Sequence, residues 1–164
     1  MRIVLAFVIF AATGVQVPTE LAKFRSWPTL VKSPHGVPLK LYIQCMAPTQ
    51  GQWDAAQKTY GPHAKKFVQY YANDVAAKAF AAKQKLPKGS VIAKEKRGAS
   101  EHGVTEGVAF MVKRDTSEFR GSGGWEFLYF PASSDQKATQ RACASCHEGA
   151  KTTDYVFGSY PRDH

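Results

Sequence analysis

Two thiols three positions apart, with an imidazole directly after the second, stand near the C-terminal end as Cys143-Ala144-Ser145-Cys146-His147. No other feature restricts the chain as much. The spacing suits addition of both sulfurs across the two vinyl groups of a single porphyrin, forming thioethers, and it holds the His147 imidazole beneath the iron as proximal axial ligand. The pattern implies one covalent haem c per chain, near the C-terminus. Three other readings compete. A thioredoxin-type pair uses the same C-x-x-C but opens a helix after a strand, whereas these cysteines follow a helix-like segment. A zinc site needs further Cys or His ligands close by in the sequence, and none stand there. A plain structural disulfide, or chance, is the third.

The other end of the chain bears on compartment. Met1-Arg2 is a short basic start, residues 3–12 are apolar, and Ala12-Thr13-Gly14 offers small residues of the kind a signal peptidase prefers. Residues 1–14 read as a secretory signal and residues 15–164 as one mature domain. Ten apolar residues span about half of a ~30 Å hydrocarbon layer, so a membrane-spanning helix is disfavoured. A retained anchor is the alternative. Export and the thiol motif support each other, since in bacteria the haem is attached outside the cytoplasm. The expected location is periplasmic or secreted.

The 164 residues carry 22 Lys plus Arg against 13 Asp plus Glu, a formal +9. The cations are scattered, which favours solubility and a broad positive field able to steer an acidic redox partner or an anionic small molecule. Nucleic acid is not an expected partner, because no recognition helix, zinc knuckle or aromatic ribonucleoprotein motif accompanies the charge.

The body reads as α+β: an antiparallel sheet of about five strands with short helices on one side. Thr19 can cap a first helix to Ser26, Ser33-Pro34-His35-Gly36 reads as a turn, and Val37–Cys45 alternates as a strand. Residues 66–71 have strand composition. Asn73 or Asp74 caps an alanine-rich helix over 75–83, which Pro87-Lys88-Gly89 stops. Strands follow at 90–95, 107–113 and 125–130, the last two separated by Gly121-Ser122-Gly123-Gly124. A final helix, capped by Ser134 or Asp135, runs into the cysteines. Cys45, the odd thiol, reads as a small buried hydrophobe. Met46, Met111, His35, His63 and His102 are the available sixth ligands, although Met111 on a strand reads as core packing and the histidines as surface.

In combination these features resemble the cytochrome P-460 and cytochrome c-prime-beta family. The likeness is carried by the late Cys-x-x-Cys-His147 and its continuation through Asp154-Tyr155-Val156-Phe157 and Tyr160-Pro161, by Gly89-Ser-Val-Ile-Ala-Lys94-Glu95, and by Trp125-Glu-Phe-Leu-Tyr-Phe130. It spans about Phe67 to Pro161. The resemblance implies an antiparallel sheet that dimerises with its copy, and a haem whose far side is open or capped by an aromatic ring. It also implies small nitrogenous ligands. In cytochrome P-460 a lysine is cross-linked to the haem and hydroxylamine is oxidised; the c-prime-beta relatives lack the bond and bind nitric oxide or carbon monoxide. Lys94 looks like the cross-linking position, though a strand lysine is otherwise a solvated charge.

An oxidising enzyme also wants a distal proton acceptor. Phe110 or Met111 falls about where the family's enzymes present a carboxylate, so Glu126 is the substitute, alone among apolar neighbours unless it faces solvent on the sheet's second face.

Three functions follow. The first is a mono-haem cytochrome with His147 on iron and Phe110, Met111 and Trp125 around an apolar pocket, binding nitric oxide or a similar small ligand and passing electrons. The second is a hydroxylamine- or nitric-oxide-oxidising enzyme with Lys94 bonded to haem and Glu126 moving protons. The third is a six-coordinate electron carrier.

Overall fold

The computed structural model describes residues 7–9, 16–36, 67–98, 100–130 and 136–157. Its centre is an antiparallel sheet of four full strands and one two-residue edge strand. In chain order these are β3 (His35–Gly36), β4 (Phe67–Ala72), β5 (Val91–Arg97), β6 (Thr105–Lys113) and β7 (Trp125–Phe130), each paired with the next. A separate two-stranded ribbon joins β1 (Phe7–Ile9) to β2 (Gln16–Pro18). Two α-helices complete the described structure, α1 (Asp74–Ala81) and α2 (Gln136–His147), with α2 continuing into a 3-10 turn over Glu148–Thr153. The fold is α+β, as the alternation of strands and short helices implies.

Most boundaries follow from local chemistry. Asn73 caps α1, its side-chain oxygen accepting from the Ala76 N–H at 3.0 Å. Gly89 takes φ +88° in the turn that ends the Pro87-Lys88-Gly89 stop and starts β5. The first helix expected over 19–26 is instead two 3-10 turns, Thr19–Leu21 and Phe24–Ser26. Pro18, not Thr19, occupies the cap position of the first. His35–Gly36 is a short strand rather than part of a turn. The strand expected over 37–45, the 134–135 cap, and Cys45, Met46 and His63 lie outside the described residues.

Period-two alternation gives the sheet two different faces. On one, Val91, Ala93, Val108, Phe110, Val112 and Phe130 form a core. That core is covered by Val17, Leu21 and Phe24 of the N-terminal segment, Phe24 standing edge-on to Tyr71 and Phe110 with ring centroids 5.4 and 5.5 Å away. On the other face, Ile92, Trp125 and Phe127 pack beneath both helices, through Ala76 and Ala79 of α1 and Cys143 and Ala144 of α2. The helices therefore do lie on one side.

Glu95 is the exception within the first core. Only 1% exposed, it accepts from Arg25 at 2.6 Å, Thr105 at 2.7 Å, and Tyr71 and Arg97 at 3.0 Å. Burial pushes its carboxyl up, but Thr105 and the two guanidinium groups outweigh that and hold it below the usual carboxylate range.

Candidate functional site

The thiol motif sits on α2, and two glutamines seat that helix. β7 is an edge strand, so its outer N–H and C=O groups need partners. Gln140 accepts from the Phe127 N–H at 2.6 Å and donates to the Trp125 carbonyl at 3.1 Å. One turn earlier, Gln136 accepts from the Tyr129 N–H at 3.2 Å and donates to its carbonyl at 2.8 Å. The pair satisfies the strand edge and fixes how α2 lies on it, which brings Cys143 half into the core and sets His147 at the helix end.

The His147 ring lies 4.8 Å from Phe127 and 5.0 Å from Phe157, centroid to centroid. Its Nδ1 is 2.6 Å from the Tyr155 carbonyl. A carbonyl only accepts, so Nδ1 carries the hydrogen and Nε2 keeps a bare lone pair, the tautomer an axial ligand needs. Burial lowers the His147 pKa, with the Tyr155 carbonyl opposing and the nearby Lys94 charge adding to the fall.

Cys143 and Cys146 are three residues apart, hence on one side of α2, and neither is in a disulfide. Cys146 stands in the last turn of the helix, where the dipole disfavours a thiolate, and burial raises the Cys143 thiol pKa. A thioredoxin-type nucleophile needs the opposite environment. Two thiols outside any disulfide on one helix side and an imidazole with its Nε2 available beside aromatic rings fit a haem.

Lys94 lies on this same face. It pairs in the sheet with Tyr70 on β4 and Ala109 on β6, one pair removed from the Ile92–Met111–Phe127 row. Its ammonium is close enough to Cys143, Cys146 and His147 for their charges to act on one another. Burial, aided by the Lys96 charge and opposed by the two cysteines, lowers its pKa to about 8, leaving it more easily deprotonated than a solvated lysine.

Met111, opposite Phe127, packs half-buried against the core below the helices. Trp125 is wholly buried there, its indole N–H donating to the Asp154 carbonyl at 2.7 Å.

Two expected residues are not with them. Phe110 points to the sheet's opposite face, against Phe24 and Phe130, because adjacent strand residues cannot share a face. Glu126 also faces away from His147: it pairs with Val112 of the first core and bonds Arg114 at 2.7 Å. The carboxylate has its reason in that ion pair, and the pocket loses both residues. His102 is exposed beside Glu101, remote in kind from a buried ligand.

Behind this site opens a cleft of ≈ 1370 Å³ whose cations are Lys83, Lys85, Arg120 and Lys151, with Tyr155 and Val156 in its wall.

The helix-end Cys-x-x-Cys-His on an antiparallel sheet defines a haem protein of the cytochrome kind. The chain belongs to the cytochrome P460 family, whose model matches residues 48–158. Its cofactor is accordingly a haem, with iron as the bound metal. No curated protein sequence matches the chain.

Proposed function

We propose that this chain is an exported mono-haem cytochrome in which Cys143 and Cys146 hold one haem covalently and His147 ligates iron. The sixth site is left open, or capped by apolar side chains, for nitric oxide or a similar small ligand. The haem would supply ligand binding and one-electron chemistry. Cys143 and Cys146 anchor it, Tyr155 orients His147 through Nδ1, and Phe127 and Phe157 keep water from the imidazole. The observation that carries the reading is the 2.6 Å contact between His147 Nδ1 and the Tyr155 carbonyl, which reserves Nε2 for a metal. An acidic redox partner suits the cationic cleft behind that carbonyl, and a homodimer remains part of the proposal on family likeness.

Mass spectrometry of denatured protein is expected to show the mass gain of one retained haem. The ferrous optical spectrum is expected to be five-coordinate and high-spin, and to change on adding carbon monoxide. Sharp low-spin bands indifferent to carbon monoxide would instead identify a six-coordinate electron carrier.

Lys94 favours a second reading, the lysine–haem bond of an oxidising enzyme, because it is on the site face with a pKa near 8. In that case the ferrous Soret band is strongly red-shifted and Lys94→Ala returns an ordinary haem c spectrum. An unaltered spectrum in that variant removes the cross-link. Since Glu126 is turned away, proton removal would need another acceptor.

A further inference from the structure

We propose that Lys113 and Asp154 form a positioning pair for His147, setting the hydrogen bond between its imidazole and the Tyr155 carbonyl and hence the donor strength of the ligand toward iron. Lys113 ends β6 and Asp154 lies 41 residues on, yet their side chains meet at 2.6 Å. They are only 5% and 11% exposed. A buried ion pair is a poor stabilising device, because desolvation offsets much of the attraction, so its placement calls for another explanation.

The backbone supplies one. Asp154 and Tyr155 are consecutive non-glycine residues in the left-handed region, at φ +55° and +64°. Such a conformation is costly for a residue with a Cβ and persists only where its surroundings impose it.

Five contacts impose it here. The Asp154 carboxylate is held by Lys113, and its carbonyl by the Trp125 indole N–H at 2.7 Å. The Lys113 ammonium also stands 4.7 Å over the Trp125 ring, so one lysine braces both. The Tyr155 N–H donates to the Ala150 carbonyl at 2.7 Å. The Tyr155 ring is admitted by Gly123, where a Cβ would overlap it. The turn so fixed aims the Tyr155 carbonyl at Nδ1. The second carboxylate oxygen of Asp154 has no hydrogen-bond partner among the described residues, so Lys113 is what holds that side chain.

A firm Nδ1–H···O bond makes imidazole a stronger donor and favours ferric iron; a slack one does the reverse. Lys113→Met and Asp154→Asn are therefore expected to lower the iron–histidine stretching frequency in resonance Raman spectra of the ferrous holo-protein. They are also expected to raise its reduction potential, by up to a tenfold change in the ferrous-to-ferric ratio at fixed ambient potential, ~59 mV for one electron. Lys113→Arg, which keeps the ion pair, should return most of both shifts. The double variant should shift no further than either single one.

Glu95→Gln is the control, losing stability on the sheet's other face while leaving frequency and potential alone. Variants at 113 and 154 that lose stability in the same way, with neither signal moved, would overturn the proposal. Should Lys113→Met fail to fold, Asp154→Asn carries the test, since it leaves the lysine a neutral acceptor. The inference rests on the haem reading. A parent with no Soret band overturns both, whereas a coloured parent with unmoved variants overturns the positioning pair alone.

Discussion

Glu95 and Lys94 are neighbours with opposite fates, because successive strand side chains face opposite ways. Lys94 goes to the site and Glu95 into the far core, where four side chains converge on its carboxylate. Replacing it by glutamine leaves the guanidinium groups without their charge partner. We expect a loss of about 3 kcal/mol at neutral pH, or roughly 10 °C in Tm for a domain of this size. The folded pKa lies below the ordinary glutamate value, so this contribution is complete above that ordinary value and drains away as pH falls through the folded one. Denaturation curves of parent and Glu95→Gln should therefore converge on acidification; a constant gap would exclude the carboxylate as its source. Strand parity separates Glu95 from Lys94 and Lys96, but nothing local shows that Arg25, 70 residues earlier, is its partner. Phe110 teaches the same lesson. Strand parity alone separates it from Met111, so the two cannot line one pocket.

At the scale of elements, the strands from β4 to β7 were legible because apolar alternation and glycine or proline stops coincide there, and β7 spans 125–130 as the pattern implies. The seat of α2 was not legible. Gln136 and Gln140 look like ordinary polar helix residues, and their task appears only once β7 is known to be a sheet edge. The Tyr155 carbonyl was equally hidden, since a backbone acceptor leaves no mark on residue type. Asn73 lies between these cases: its cap was legible, its second duty was not. Its Oδ1 also accepts from the Val91 N–H at 3.0 Å, and its Nδ2 donates to the Gly89 carbonyl at 2.9 Å, joining the start of α1 to the start of β5. Asn73→Ala is thus expected to cost about 2 kcal/mol, the upper end for a helix cap. Asn73→Asp, which keeps both acceptor roles and loses only the donor, should fall between, as thermal denaturation of the three proteins would show. Equal losses in the two variants would mean that the Gly89 bond alone matters.

For the whole molecule the sheet acts as a partition. The N-terminal segment closes one face, and both helices, the thiols, His147 and Lys94 occupy the other, so charge near the helices lies on the working side. The formal +9 is spread over the chain, yet Lys83, Lys85, Arg120 and Lys151 share one cleft whose wall includes Tyr155. Tyr155 contacts the imidazole, so an electron donor or acceptor seated in that cleft is one carbonyl from His147. Local potential, more than net charge, should then govern how charged reagents exchange electrons with the haem. Oxidation of the ferrous protein by hexacyanoferrate(III), an anion, is expected to slow as salt rises and the Debye length shrinks from about 30 Å at 0.01 M to about 10 Å at 0.1 M. Combining Lys83→Glu, Lys85→Glu and Lys151→Glu should reduce the low-salt rate by roughly tenfold and flatten its salt dependence. Lys23→Glu with Lys32→Glu changes charge outside the cleft and should do much less. If both sets slow the reaction in proportion to charge removed, only net charge steers, and the cleft loses its claim as the docking face.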